Sequence, residues 1–117
     1  MGDDWLLRSV DHVEEAGRAT IAGVEALIAS LEPLRQQRGA GVPLAGIADD
    51  LIARGGPAVR RRCGEALAEY ARAVMLFRAR MIRAMVDTEG MSLSEVSRKL
   101  GVSRQMVTRL YRAAEES

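Results

Sequence analysis

Apolar residues recur every three or four positions along most of this 117-residue chain, which is the spacing of amphipathic helices. The first such run predicts one long helix that is capped by Asp3 or Asp4 and ends near Pro33. Ile21 and Ile28 widen its apolar stripe, so we expect the second half of this helix to be the more deeply buried. The residues of the stripe are Leu6, Val10, Val13, Gly17, Thr20, Val24, Leu27 and Leu31.

Glycines and prolines divide the rest of the chain into shorter segments. Residues 35–42, which include Gly39 and Gly41, predict a flexible connection. Pro43 suits the first position of a short helix to about Arg54, and Pro57 the start of a third helix after Gly55-Gly56. We expect this third helix to reach about Asp87 unless Gly64 interrupts it, with Leu76, Ile82 and Val86 outside or beside its main stripe. The main stripe comprises Cys63, Leu67, Tyr70, Val74, Phe77, Met81 and Met85.

The last third of the chain predicts two short helices joined at a glycine. Ser92 and Glu95 have the spacing of a capping box, in which each side chain bonds the other residue's backbone N–H. Gly101 is the residue type expected where a helix ends in a left-handed conformation. Ser103 can cap a second helix. With no strand pattern elsewhere, the fold class is predicted as all-α: two long helices plus a short one, followed by a C-terminal tri-helical unit.

The segment Met91–Arg112 resembles the helix-turn-helix DNA-binding unit. Small or apolar residues, a turn glycine and buried aliphatics stand at the positions that this family requires: Val96, Ser97, Leu100, Gly101, Val102, Val107 and Leu110. Ser97 departs from the pattern, because alanine is more common there. No strands follow to form a wing, so the unit is similar to the wingless units of resolvases and of sigma-factor C-terminal regions.

The resemblance implies double-stranded DNA as the partner, with the second helix in the major groove. Arg104, Gln105 and Thr108 are then expected to contact base edges, since arginine suits guanine and glutamine suits adenine. The residues expected to contact phosphates are Ser92, Ser94, Lys99, Ser103, Arg109 and Arg112. For each of these positions, an ordinary solvated surface residue is the alternative.

The net charge of +1 conceals an asymmetry along the chain. Residues 1–50 hold four arginines and nine acidic residues, whereas residues 51–117 hold thirteen basic and seven acidic residues. The basic part includes the predicted DNA-binding unit, as expected if that part meets phosphates. Arg60-Arg61-Arg62 is harder to assign, because three cations near a helix start oppose the helix dipole. These arginines face either acids such as Asp49, Asp50, Glu14 or Glu15, or phosphate.

Two functional regions are predicted: a helical dimerisation region at 1–75 and a DNA-binding domain at 76–117. The long helices carry more apolar stripe than a short middle helix can cover, so we expect a homodimer through them, as is usual for helix-turn-helix proteins. The alternatives are a monomeric bundle and a hetero-oligomer. The stripes could also line a pocket for a small-molecule effector, but nothing in the sequence supports one.

Catalysis and membrane insertion are not expected. His12 is the sole histidine and Cys63 the sole cysteine, so no soft-ligand metal site can be assembled and no disulfide can form within the chain. No cofactor-binding glycine loop, secretory signal or long apolar run is present. We therefore expect a cytoplasmic, non-enzymatic transcriptional regulator. The alternative is an accessory factor that contacts DNA only together with a partner such as RNA polymerase.

Overall fold

The computed structural model describes residues 4–116, with side chains up to Ala114. The described chain contains five helices and no strand, so the all-α prediction is confirmed. The helices are α1 (Trp5–Gly39), α2 (Leu44–Ala53), α3 (Gly56–Asp87), α4 (Leu93–Leu100) and α5 (Arg104–Glu116). No helix within residues 4–116 is long and apolar enough to cross a bilayer.

The start of α1 is capped as expected. The Leu7 backbone N–H donates to Asp4 Oδ1 over 3.4 Å, which is the bond of a helix N-cap. Asp3, the other capping candidate, lies outside the described residues.

The end of α1 corrects two predictions, because the helix continues through Pro33 to Gly39 and residues 35–39 are not a flexible connection. Proline removes one helical N–H, but a helix can continue where other contacts hold the following turn. Here the Gln37 side-chain amide donates to the Asp50 carboxylate of α2 over 2.8 Å. The helix ends at Gly39, and Gly41 beyond it adopts a left-handed conformation with φ of +83°. The N–H groups of Gly41 and Val42 donate to the carbonyls of Arg38 and Gln37, which is a Schellman motif.

The two following helices begin close to their predicted positions. Pro43 is the N-cap of α2 rather than its first residue. Gly56 is the first residue of α3 and Pro57 the second, and α3 passes Gly64 without a break. Gly55, with φ of +84°, provides the turn between α2 and α3.

The chain forms two compact units. Residues 15–70 form the central unit, and residues 4–14 together with 71–116 form the C-terminal unit. In the central unit α1 and α3 approach closely along small residues. A Cβ atom added to Gly23 would lie 3.2 Å from the Cys63 backbone, and the Thr20 hydroxyl donates to the Ala66 carbonyl over 3.0 Å. Cys63 is buried, as predicted.

The prediction that the second half of α1 is the more deeply buried is wrong at its two isoleucines. Ile21 is 61% exposed and Ile28 is 59% exposed. Both lie about 100° around α1 from the seam of small residues, by the rotation of about 100° per helical residue. From the predicted α3 stripe, Leu67 (48% exposed) and Tyr70 are likewise exposed. The small residues bring the helices together, and the larger aliphatics beside them are left uncovered.

The hydrophobic core of the C-terminal unit joins the end of α3 to α4 and α5. It consists of Ala79, Ile82, Met85, Val96, Val107 and Leu110. Ile82 was expected outside or beside the main stripe, yet it is only 1% exposed. The face of α3 that α4 and α5 cover is centred on Ala79, Ile82 and Met85, whereas Phe77 and Met81 of the predicted stripe are half-buried. Leu100, one of the apolar positions of the helix-turn-helix pattern, is the last residue of α4 and is 38% exposed.

Candidate nucleic-acid interface

A capping box fixes the start of α4, as predicted. The Ser92 hydroxyl accepts from the Glu95 N–H over 3.1 Å, and the Ser92 N–H donates to the Glu95 carboxylate over 2.9 Å. The bond from the Ser92 N–H to the carboxylate, followed by the interaction of the carboxylate with the Ser92 side chain and the nearby Arg98 charge, lowers the pKa of Glu95. The carboxylate therefore stays ionised at the positive end of α4, where it also complements the helix dipole.

The turn between α4 and α5 is held at Ser97 and Gly101. Gly101 adopts a left-handed conformation, with φ of +69°. The Ser97 carbonyl accepts the N–H groups of Gly101 and Val102, and the Ser97 hydroxyl donates to the Val102 carbonyl over 2.6 Å. The Ser97 hydroxyl thus stabilises the turn. The family pattern, in which alanine is more common at this position, did not indicate this bond.

The two faces of α5 differ in character. Ser103 caps the helix, since its hydroxyl accepts the Met106 N–H over 3.1 Å. Val107 and Leu110 are buried against α3 and α4. The opposite face carries long polar side chains and lines one shared surface depression, formed by Arg104, Gln105, Thr108, Arg109 and Arg112 with Ala113.

The polar face of α5 is exposed and cationic. Thr108 is half-buried, and the four longer side chains are exposed. Among the side chains that the structure describes, none of the three arginines on this face has an acidic partner. Residues 91–114 contain five basic residues and one acidic residue, Glu95. This face therefore offers several free donors and a positive charge to an anionic partner.

The other four predicted site residues lie outside this depression. Ser92 and Ser103 are exposed caps, and each hydroxyl keeps its own proton for donation while it accepts a backbone N–H. Ser94 is half-buried in the first turn of α4, and Lys99 is exposed in its last turn. The structure thus groups the five α5 residues and leaves the other four at helix ends.

A cluster of three side chains fastens α5 to the end of α3. The Tyr111 hydroxyl donates to Asp87 Oδ1 over 2.6 Å, and Arg83 Nε donates to Asp87 Oδ2 over 2.5 Å. The Arg83 guanidinium also lies over the Tyr111 ring, 4.3 Å from its centre, at the distance of a cation–π contact. The bond from Tyr111, followed by those from Arg83 and its charge, lowers the pKa of Asp87.

This cluster was not identified from the sequence. Arg83 and Asp87 are four residues apart on one helix, which is a recognisable ion-pair spacing. Tyr111 is 24 residues from Asp87, so no local pattern connects them. The cluster belongs to the candidate interface because it orients the helix that carries the polar face.

Replacing Tyr111 by phenylalanine is expected to raise the pKa of Asp87 towards the ordinary value of a carboxyl group, because the largest cause of its lowering is lost. A lowered folded-state pKa contributes stability above the ordinary pKa, and this contribution disappears as the pH falls through the lowered value. The stability difference between the wild type and Tyr111→Phe should therefore shrink in acid. NMR titration of Asp87 and urea unfolding at several pH values measure both effects.

Tyr70→Phe is the matched control, since Tyr70 lies in the central unit and is the only other tyrosine in the sequence. It should leave the Asp87 titration unchanged. If Tyr111→Phe left the titration equally unchanged, the bond from Tyr111 to Asp87 would not form in solution.

Comparison of the chain with protein-family models, with curated proteins and with solved structures gave no match.

Proposed function

We propose that this protein is a sequence-specific DNA-binding transcriptional regulator, in which α4, its turn and α5 form a helix-turn-helix unit. The observation that carries the proposal is the division of α5 into a buried aliphatic side and an exposed side with three arginines and a glutamine. A helix held in this way keeps its polar side exposed and in a fixed orientation. An amphipathic surface helix with a merely solvated polar face is the alternative.

The dimensions of α5 suit the major groove. Its 13 residues extend over about 20 Å at ~1.5 Å per residue, and a helix with side chains fits the groove width of ~12 Å. Arg104, Gln105 and Thr108 lie in the first half of α5, which in such units faces the base edges. In this proposal Arg109 and Arg112 contact phosphates, together with Ser92, Ser94, Lys99 and Ser103.

The proposal includes a homodimer, with residues 1–75 serving dimerisation and residues 76–117 binding DNA. One such unit contacts few base pairs, so two copies would bind together. Their half-sites would lie about one helical turn apart. The exposed aliphatic side chains of the central unit support the dimer, since Ile21 and Ile28 would gain from burial against a second copy.

Binding of the purified protein to labelled duplex DNA, measured by fluorescence anisotropy at several salt concentrations, tests the proposal. We expect binding without any partner and a linear fall of the logarithm of affinity with the logarithm of salt concentration. Binding only in the presence of RNA polymerase would instead favour the accessory-factor hypothesis. No binding in either condition would contradict both.

Gln105→Ala is expected to change the sequence preference at one base pair of each half-site by about 1–3 kcal/mol, since a bidentate contact to adenine is lost. Gln105 is exposed, so the fold should be retained and circular dichroism should be unchanged. Affinities for duplexes that differ at single positions give the measurement. An unchanged preference at every position would remove Gln105 from the base-contacting residues.

A further inference from the structure

The central unit has an exposed face that nothing in its own residues covers. Ile21 and Ile28 on α1 and Leu67 on α3 are all about half exposed or more. Gly64 lies one helical turn before Leu67 on α3, and a Cβ atom added to Gly64 would meet no atom within 4 Å. We refer to Ile21, Ile28, Gly64 and Leu67 as the α1–α3 face.

Three contacts establish how α1 and α3 are aligned. Gly17 lies against Tyr70, Thr20 against Ala66 and Gly23 against Cys63, so the two helices run antiparallel. The same alignment places Ile21 level with the turn that contains Gly64 and Leu67. It places Glu25 level with Arg61.

Helical rotation places the exposed residues of both helices on one side of the pair. At about 100° per residue, Ile21 and Ile28 lie roughly a quarter turn from the α1 seam, and Leu67 and Arg60 lie roughly a fifth to a quarter turn from the α3 seam. These offsets have the same rotational sense. Because the helices are antiparallel, equal senses of rotation lead to the same side of the pair.

Charged side chains flank this face on both helices. On α1, Arg18, Glu25 and Glu32 follow the outer edge at seven-residue spacing, and on α3 Arg60 lies on the same side as Leu67; all four charged residues are exposed. The expected pairing of the arginines with Asp50 is not found, because that carboxylate accepts from Gln37 and Arg54 over 2.8 Å each. These bonds lower the pKa of Asp50. Within the described part of the chain, Arg60, Arg61 and Arg62 have no acidic partner.

We propose that a second copy of this chain covers the α1–α3 face, with α1 of one copy lying antiparallel along α3 of the other. The two-fold axis is parallel to the helices. Ile21 then enters the space above the partner subunit's Gly64, beside the partner subunit's Leu67. Glu25 meets the partner subunit's Arg60. The inference rests on the homodimer of the proposed function and specifies its interface.

Self-complementarity identifies the occupant as a second copy. A two-fold interface requires one surface that matches itself, and the rotation brings Glu25 of each copy to the level of Arg60 of the partner subunit. The arrangement with α1 on the partner's α1 would bring Glu25 and Glu32 against the same acids of the other copy, which costs binding energy. An apolar centre with charged edges is also the general anatomy of protein interfaces.

Sedimentation equilibrium of the full chain tests the interface. The wild type should be a dimer at micromolar concentration, and Ile21→Glu should raise the dimer dissociation constant by about 100-fold or more, because two buried side chains become charged. Ile21 is exposed in the single chain, so the monomer should keep its helical circular dichroism spectrum. Leu44→Glu is the control: Leu44 is 68% exposed but lies on α2, off the α1–α3 face, and this variant should remain dimeric.

Charge reversal tests the orientation of the two copies. Glu25→Arg should weaken the dimer about tenfold or more, and adding Arg60→Glu should restore it, since the attraction is re-formed with opposite signs. A wild-type monomer, or an Ile21→Glu dimer of unchanged affinity, would overturn the inference. DNA binding by an Ile21→Glu protein that is still dimeric would overturn this interface while it left the proposed function intact.

Discussion

Ile82→Ala is expected to lower the free energy of unfolding of the C-terminal unit by about 2–5 kcal/mol. Ile82 is among the largest fully buried side chains in the described residues, together with Val96 and Val107. It belongs to the core that joins α3 to α4 and α5. Its truncation therefore leaves a cavity that α4 and α5 cannot fill completely by moving towards α3. Urea unfolding followed by circular dichroism measures the change.

The same variant also tests whether the core supports DNA binding. The polar side of α5 is oriented only while Val107 and Leu110 pack against α3, so loss of Ile82 should weaken DNA binding at temperatures where the unit begins to unfold. Met75→Ala is the control on the same helix, because Met75 is 37% exposed and its truncation should change stability by only about 0.5 kcal/mol. Equal effects of Ile82→Ala and Met75→Ala would contradict the described core.

Replacing Arg109 and Arg112 together by alanine is expected to flatten the salt dependence of DNA binding. Each lost phosphate contact lowers the slope of log affinity against log salt by about 0.9, so the slope should fall by about 2 per subunit. Affinity should decrease strongly for every sequence, while the preference among sequences stays unchanged, because phosphate contacts carry no base information. Anisotropy titrations over a range of salt concentrations supply both quantities.

Arg35→Ala with Arg38→Ala is the matched control for this experiment. It removes the same charge from two exposed positions near the end of α1, in the central unit. The control should leave the salt dependence nearly unchanged. If both double variants flattened the slope equally, the effect would come from net charge, and the assignment of Arg109 and Arg112 to phosphates would be wrong.

The features predicted best from the sequence are those that depend only on residues a few positions apart. The Ser92–Glu95 capping box, the left-handed Gly101 and the Ser103 cap depend on neighbours at most five positions away. The buried positions Val96, Val107 and Leu110 follow from helical spacing within short helices. The same helical spacing places the five polar residues of α5 on one side of that helix.

Contacts between distant residues could not be predicted in the same way. The passage of α1 through Pro33 coincides with a bond from Gln37 to Asp50, which no local pattern reveals. The burial of Ile82 depends on which face of α3 meets α4 and α5. By their spacing Ile21 and Ile28 are expected in the core, but the small residues beside them, not the isoleucines, form the contact between α1 and α3. In each case tertiary packing decides between faces that are similar in sequence.

The central claim, that α5 recognises a DNA sequence in the major groove, is tested most directly by selecting bound duplexes from a random library with the purified protein at moderate salt. We predict enrichment of an inverted repeat whose half-sites are about one helical turn apart, as two copies of the unit require. A pool without any enriched sequence, bound only weakly and lost as salt increases, would contradict the claim.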